Sequence, residues 1–219
     1  MSSQMGMRTV GVLSAVMVGL LASAACASFA PITLGSSDFN SLLGGPPTPI
    51  DSPLVTPMSN DNLHTAVTSQ AFTDGAGHYI YLYQVANTGS AGDAAAEFFT
   101  VSAFYGLTAS GTAGRLTANP PTGFSLGTQA PAGASVDVPA GPVLSFAFPG
   151  AMGYSLDPGE TSVALYVLSD MPPEQVTGNV INGTIASGPV VAPVPEPTTV
   201  SLLVLGAGMM LFGRRSARR

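Results

Sequence analysis

The sequence predicts an all-β fold: an immunoglobulin-like two-sheet β-sandwich, flanked by an N-terminal signal helix and a short C-terminal transmembrane helix. Three observations carry this. Between the two ends the only helix candidate is Asp93–Phe98, which is short. Apolar residues there recur with period two, in short runs set apart by Gly, Pro, Asn and Asp clusters. The ends differ in kind, since Val10–Ala22 and Thr198–Gly213 are apolar stretches without a charge. Composition excludes several classes. Of 219 residues 46% are hydrophobic and only 8% charged, with no Lys and no Trp. This leaves out a basic nucleic-acid binder, a coiled coil, a disulfide scaffold and a charged disordered chain.

Residues 1–27 have the form of a secretory signal peptide. Arg8 supplies a weakly basic start, Val10–Ala22 the apolar run, and Ala25-Cys26-Ala27 the small-x-small cleavage pattern, with Ala25 and Ala27 as the recognised residues. No Arg-Arg pair precedes the run, which favours the general secretory route. Cys26 is the only cysteine, so cleavage after Ala27 leaves a mature chain without disulfide, thiolate metal site or cysteine nucleophile. A lipidated Cys26 is the rival reading, weakened by Ser23-Ala24-Ala25, which lacks the leucine usual before such a site.

Residues 28–60 form a Pro-rich N-terminal segment, with Gly44–Pro57 expected to be extended and poorly packed. The sandwich is expected over 61–188. Asn62–Phe72 alternates loosely, and Thr73–Gly77 is a turn cluster. In the strand that follows, His78–Asn87, Tyr79, Tyr81, Tyr83 and Val85 share one face and Ile80, Leu82 and Ala86 the other. Both faces are apolar, which places this strand centrally. Further strands are expected at Glu97–Tyr105, Ser135–Val138, Val143–Pro149, Thr161–Ser169 and Gly178–Ala186. Gly106–Ala134 is Gly/Ala/Thr/Pro-rich and reads as an irregular excursion anchored by Leu116 and Phe124. Seven short strands fit an immunoglobulin-like sandwich, with a jelly roll as the alternative. A chain of this size buries about 70% of its unfolded surface, so no disulfide is required.

Charge is partitioned. From Ser28 to Pro193 a single arginine, Arg115, stands against eleven acids, a formal −10, while four of the six arginines lie in the last six residues. The tail 189–219 contains Val194-Pro195-Glu196-Pro197, then the uncharged Thr198–Gly213, then Arg214, Arg215, Arg218 and Arg219. Sixteen helical residues span about 24 Å, short of the roughly 30 Å hydrocarbon core. Seven large apolar residues give about −2 to −4 kcal/mol for insertion. The basic stop keeps the C-terminus cytoplasmic and the rest of the mature chain outside. Pro195 and Pro197 lack an N–H and fix φ, so the helix cannot run back through them and Glu196 is held extended at the membrane surface.

The tripeptide Pro195-Glu196-Pro197, the short apolar helix and the terminal arginines resemble the PEP-CTERM sorting signal. The resemblance implies export by a bacterium with an outer membrane, and processing by exosortase, a membrane-embedded transpeptidase. Signal peptidase, the membrane as a transient or single-pass host, and an exopolysaccharide are the other expected partners. A strand motif and a turn motif add a weaker likeness to exoproteins of that family: Tyr81-Leu82-Tyr83-Gln84-Val85-Ala86-Asn87, and Asp157-Pro158-Gly159-Glu160-Thr161-Ser162 as a turn before a strand.

Candidate chemistry is sparse, and the chain reads as no enzyme, with no catalytic residue, metal or cofactor assigned. His64 and His78 approach each other if their strands form a hairpin, and are otherwise solvated strand ends. No G-x-S-x-G nucleophile motif occurs. The acids all neighbour turns, which speaks against a glycosidase pair. Asn60-Asp61-Asn62 with Asp74 and Asp93 are oxygen donors of the kind calcium takes, without EF-hand spacing. Tyr79, Tyr81, Tyr83 and Tyr105 serve as sheet packing or as platforms for sugar rings. Asn182-Gly183-Thr184 is a formal glycosylation sequon that also marks a turn. The expected function is an exported surface or biofilm-matrix component, structural or adhesive. A hydrolase or glycan- or calcium-binding module acting on exopolysaccharide is the alternative, and a permanently membrane-tethered domain a third reading.

Overall fold

The computed structural model describes residues 28–102, 112–138, 143–148 and 155–194. The expected signal helix and the C-terminal transmembrane helix lie outside the described residues. The described residues form two sheets. The first has the order β1 (Ser28–Ile32), β9 (Gly133–Val138), β10 (Val143–Ala147), β7 (Phe98–Val101), β12 (Pro173–Ile181), β13 (Ile185–Pro193). The second has the order β2 (Gly35–Asp38), β8 (Ala113–Ala118), β11 (Leu165–Ser169), β6 (Tyr79–Asn87), β5 (His64–Thr73), β3 (Thr48–Pro49), with β4 (Leu54–Ser59) also paired to β5. All pairs are antiparallel except β2 with β8.

β6 is the centre of the second sheet, flanked by β11 and β5. Its alternation explains the position. Tyr81, Tyr83 and Val85 face the first sheet, in one cluster with Phe99, Leu144, Phe146, Val180 and Val190. Tyr83 meets Phe99 across the gap at 5.5 Å between ring centroids, and Phe99 stacks with Phe146 at 6.4 Å. Full burial of each such ring or aliphatic chain contributes about 1.5–3 kcal/mol. Ile80 and Leu82 point the other way, into a second cluster with Phe39, Phe72, Leu116, Ala164 and Tyr166. A 3-10 turn at Phe39–Ser41 supplies Phe39 and so roofs the outer face of the sheet. Both faces of β6 are therefore covered, and its buried polar side chains, Gln84 and Asn87, are hydrogen-bonded.

The sheets extend beyond the expected strand set. Gly44–Pro57 is not loosely packed throughout: it contains β3 and the start of β4, which pairs with β5 from Leu54↔Ser69 to Ser59↔His64. Alternation in β4 buries Thr56 and Met58 and leaves Val55 outside. The signal was masked by prolines, which an edge strand tolerates. The excursion 106–134 contains β8, held between β2 and β11, with Leu116 buried and Phe124 packed on the second cluster. Gly178–Ala186 is not one strand but the tip of the β12–β13 hairpin, whose nine pairs run from Pro173↔Pro193 to Ile181↔Ile185. The break falls at Asn182-Gly183-Thr184, where Gly183 takes φ 89°, a conformation an L-residue resists. Asp93–Phe98 is not helical either. It runs through a bend and an Ala96↔Leu156 bridge into β7. Among the described residues no helix is long and apolar enough to cross a membrane.

β13 is an edge strand of the first sheet but is not bare. Thr56 Oγ donates to Pro189 O at 2.7 Å, Tyr83 OH donates to Val191 O at 2.6 Å, and Val191 N donates to Ser69 Oγ at 3.1 Å. Side chains of the second sheet thus satisfy backbone groups of the last strand, closing that flank of the sandwich.

Candidate functional site

The expected sorting residues begin where β13 ends. Pro193 still pairs with Pro173, and Val194 N donates to Pro172 O at 3.1 Å. Sheet pairing therefore reaches the residue immediately before Pro195. Val194 is the last described residue. Pro195, Glu196, Pro197, Arg214, Arg215, Arg218 and Arg219 lie outside the described residues, as do Ala25 and Ala27 at the other end.

The two motifs of the central region form one structural unit. Asn87, at 2% exposure, donates from Nδ2 to Ala94 O at 3.0 Å and Leu156 O at 2.9 Å, and its Oδ1 accepts Gly89 N at 3.1 Å. Its backbone N–H bonds Glu160 O at 2.9 Å, and its carbonyl accepts Gly159 N at 2.8 Å. Ser162 exchanges bonds with Val85: its N–H donates to Val85 O at 2.8 Å, and its Oγ accepts Val85 N at 3.0 Å. Gln84 donates to Ser162 O and Ser125 O and accepts Ser125 N. Glu160 completes the turn, accepting Asp157 N at 2.9 Å and Gln129 Nε2 at 2.8 Å. At the same place Gly127 passes so close to Ser162 that a Cβ would stand 2.0 Å from its carbonyl oxygen. These residues tie β6, the 155–162 turn and the 124–129 loop together. Nothing in the arrangement presents a free nucleophile. Sequence reasoning identified both motifs but not that they touch, since the 70 or so residues between them carry no hint of the pairing.

The histidines do belong to strands that form a hairpin, yet they do not meet. The register Thr65↔Asn87 through Thr73↔Tyr79 puts His64 and His78 at opposite ends of β5, about 30 Å apart at 3.3–3.4 Å per residue. His64 neighbours Thr88 through its carbonyl, at 2.8 Å. His78 Nδ1 instead lies 2.6 Å from Asp74 Oδ2 within the β5–β6 turn. That hydrogen bond holds the Asp74 carboxyl below the usual carboxylate range and pushes the His78 imidazole above its ordinary value. Both groups are solvated, and the pair shapes the turn.

The oxygen donors are also split. Ala94 N donates to Asn62 O at 2.7 Å, bringing the Asp61 and Asp93 loops side by side, whereas Asp74 sits at the far end of the hairpin. Asp93 Oδ2 accepts Ser90 N at 2.6 Å. Among the described residues no group of three or more His, Cys, Asp and Glu is placed to hold a metal ion. Tyr81 and Tyr83 are fully buried and donate to Met171 O and Val191 O, both at 2.6 Å, so they are core residues and not exposed ring platforms. Burial pushes both phenols above their ordinary range. Tyr105 lies outside the described residues. In the Asn182 sequon, Asn182 Oδ1 accepts Thr184 Oγ at 2.8 Å, while Asn60 Nδ2 donates to that same hydroxyl at 2.8 Å.

Comparison with curated proteins and with solved structures finds no match to this chain. A family model does match, and it covers the tail that β13 hands over to: residues 193–219 carry the PEP-CTERM protein-sorting motif, the mark of an exosortase substrate.

Proposed function

We propose that this chain is a non-enzymatic structural or adhesive component of the cell surface or its extracellular matrix, carried on an immunoglobulin-like sandwich. The single observation behind it is the PEP-CTERM motif at 193–219, which implies export to the cell envelope and an exosortase-type processing partner. Residues 1–27 act as the signal peptide, cut after Ala27. The precursor crosses the inner membrane once through 198–213, with its arginines retained in the cytoplasm. Glu196 is the group the transpeptidase reads, presented between two prolines. The fold supports the passive role in two ways. Among the described residues no three acids or histidines are grouped as metal ligands, and the two central motifs are spent on holding loops to the sandwich.

The test is intact-mass measurement of the C-terminus in envelope and culture fractions, for the wild type and for Glu196→Ala. The wild type should lose the apolar segment and arginines, while Glu196→Ala should keep them and stay in the membrane. Identical termini and identical location in the two would remove the recognition role of Glu196.

A further inference from the structure

We propose that the cleft between the Pro-rich segment and the outer face of β5 is a binding site for neutral carbohydrate. The cleft has a volume of about 770 Å³, within the range of small-ligand sites, roughly 300–1,000 Å³. It is a built feature. Ile50 N donates to Ala71 O at 3.1 Å and β3 pairs with β5, so residues 47–53 are fastened along the sheet and form one wall. The loop carrying Pro121 and Thr122 forms the other wall, and Phe39 and Phe72, edge to face at 4.9 Å, form the apolar floor.

The polar character of the cleft names the ligand. Gln70 lines it at 5% exposure and donates Nε2 to Asp51 O, but its Oε1 has no partner. It is the one buried side-chain oxygen or nitrogen among the described residues left in that state. A buried bare acceptor is costly, and a donor arriving from the cleft relieves it. The single charged side chain on the lining is Asp51, again an acceptor. The site therefore asks for a molecule with several donors and apolar faces. A neutral sugar has both: its hydroxyls donate to Gln70 and Asp51, and its C–H faces lie on the rings of Pro47, Pro49, Pro53 and Pro121. An unbroken run of prolines has no backbone N–H and would leave Gln70 Oε1 unmet. An anionic polymer would meet Asp51 and a segment of formal charge −10. One carboxylate does not hold a cation.

This deepens the adhesive reading above and fails separately from it, since location and C-terminal mass do not depend on the cleft. The exported protein, purified from its host, is titrated with gluco-, manno- and galacto-oligosaccharides at millimolar concentration by calorimetry, with oligogalacturonate as the acidic comparison. At least one neutral series should bind, and bind at least tenfold more tightly than the acidic one. Gln70→Met removes the acceptor at nearly constant shape, and Thr122→Trp fills the cleft from its exposed rim. Each should weaken binding at least tenfold. If Gln70→Met does not fold, Thr122→Trp decides alone, because Thr122 is exposed. No neutral binding, equal acidic binding, binding unchanged in Thr122→Trp, or binding unchanged in a folded Gln70→Met overturns the proposal.

Discussion

Replacing Asn87 by Ala should be among the most damaging single changes outside the aromatic core. The side chain is 2% exposed and makes three hydrogen bonds to backbone groups of two other segments. Truncation leaves Ala94 O and Gly89 N without these partners, while Leu156 O keeps its bond from Ala96 N at 2.9 Å. Two partly buried backbone groups left bare, at about 1–3 kcal/mol each when fully buried, put the loss near 2–3 kcal/mol. For a domain of this size that lowers Tm by about 5–10 °C. Urea unfolding followed by circular dichroism measures it, with an unchanged m-value showing that the fold is retained. Asn87→Asp separates hydrogen bonding from packing. Its carboxylate would face two carbonyl oxygens, so its folded pKa must rise above the unfolded value near 3.9. The folded state then binds the extra proton between those two pKa values, and stability falls as pH rises through that window. The Asp variant should therefore be weak at pH 7 and recover towards pH 4. An Ala variant within about 0.5 kcal/mol of wild type, or an Asp variant indifferent to pH, would show that Asn87 does not clasp the loops.

Gly127→Ala should cost at least about 3 kcal/mol, because the new Cβ falls 2.0 Å from Ser162 O and the residue sits at φ 61°. Thermal melting reads this, and a loss under about 1 kcal/mol would mean the 124–129 loop shifts freely. His78 should titrate above the ordinary imidazole range and return to it in Asp74→Asn, as followed by ring-proton NMR. Its raised pKa means that its contribution is complete below about pH 6.5 and is lost as pH rises through the folded value. Asp74 has the opposite sign, contributing above about pH 4 and losing it in acid, so the turn is firmest between the two. Coincident titration in wild type and Asp74→Asn would exclude the hydrogen bond.

What the amino-acid sequence settled without any coordinates is what depends on neighbours along the chain. The sorting tail is one such case: Pro195-Glu196-Pro197, an uncharged apolar run and the terminal arginines follow in order along a line, and the family model matches that order at residues 193–219. The two-faced apolar pattern of Tyr79–Asn87 is another, since alternation alone says that both sides of that strand are covered. Asn182-Gly183 announced a turn by its chemistry, though the strand drawn across it at Gly178–Ala186 overrode that local signal. What only the tertiary structure decided is what depends on register and on distant partners. Strand pairing sent His64 and His78 to opposite ends of one hairpin, although adjacency of the strands was foreseen. It turned prolines 49 and 57 into parts of edge strands, because an edge strand has an outward side where a missing N–H costs nothing. It also brought Asn87 to Gly159 and Glu160, and opened a cleft beside Gln70, by contacts spanning tens of residues. Such contacts leave no periodic trace, because each joins a few groups far apart in the chain, by a side chain or by the backbone that any sequence supplies.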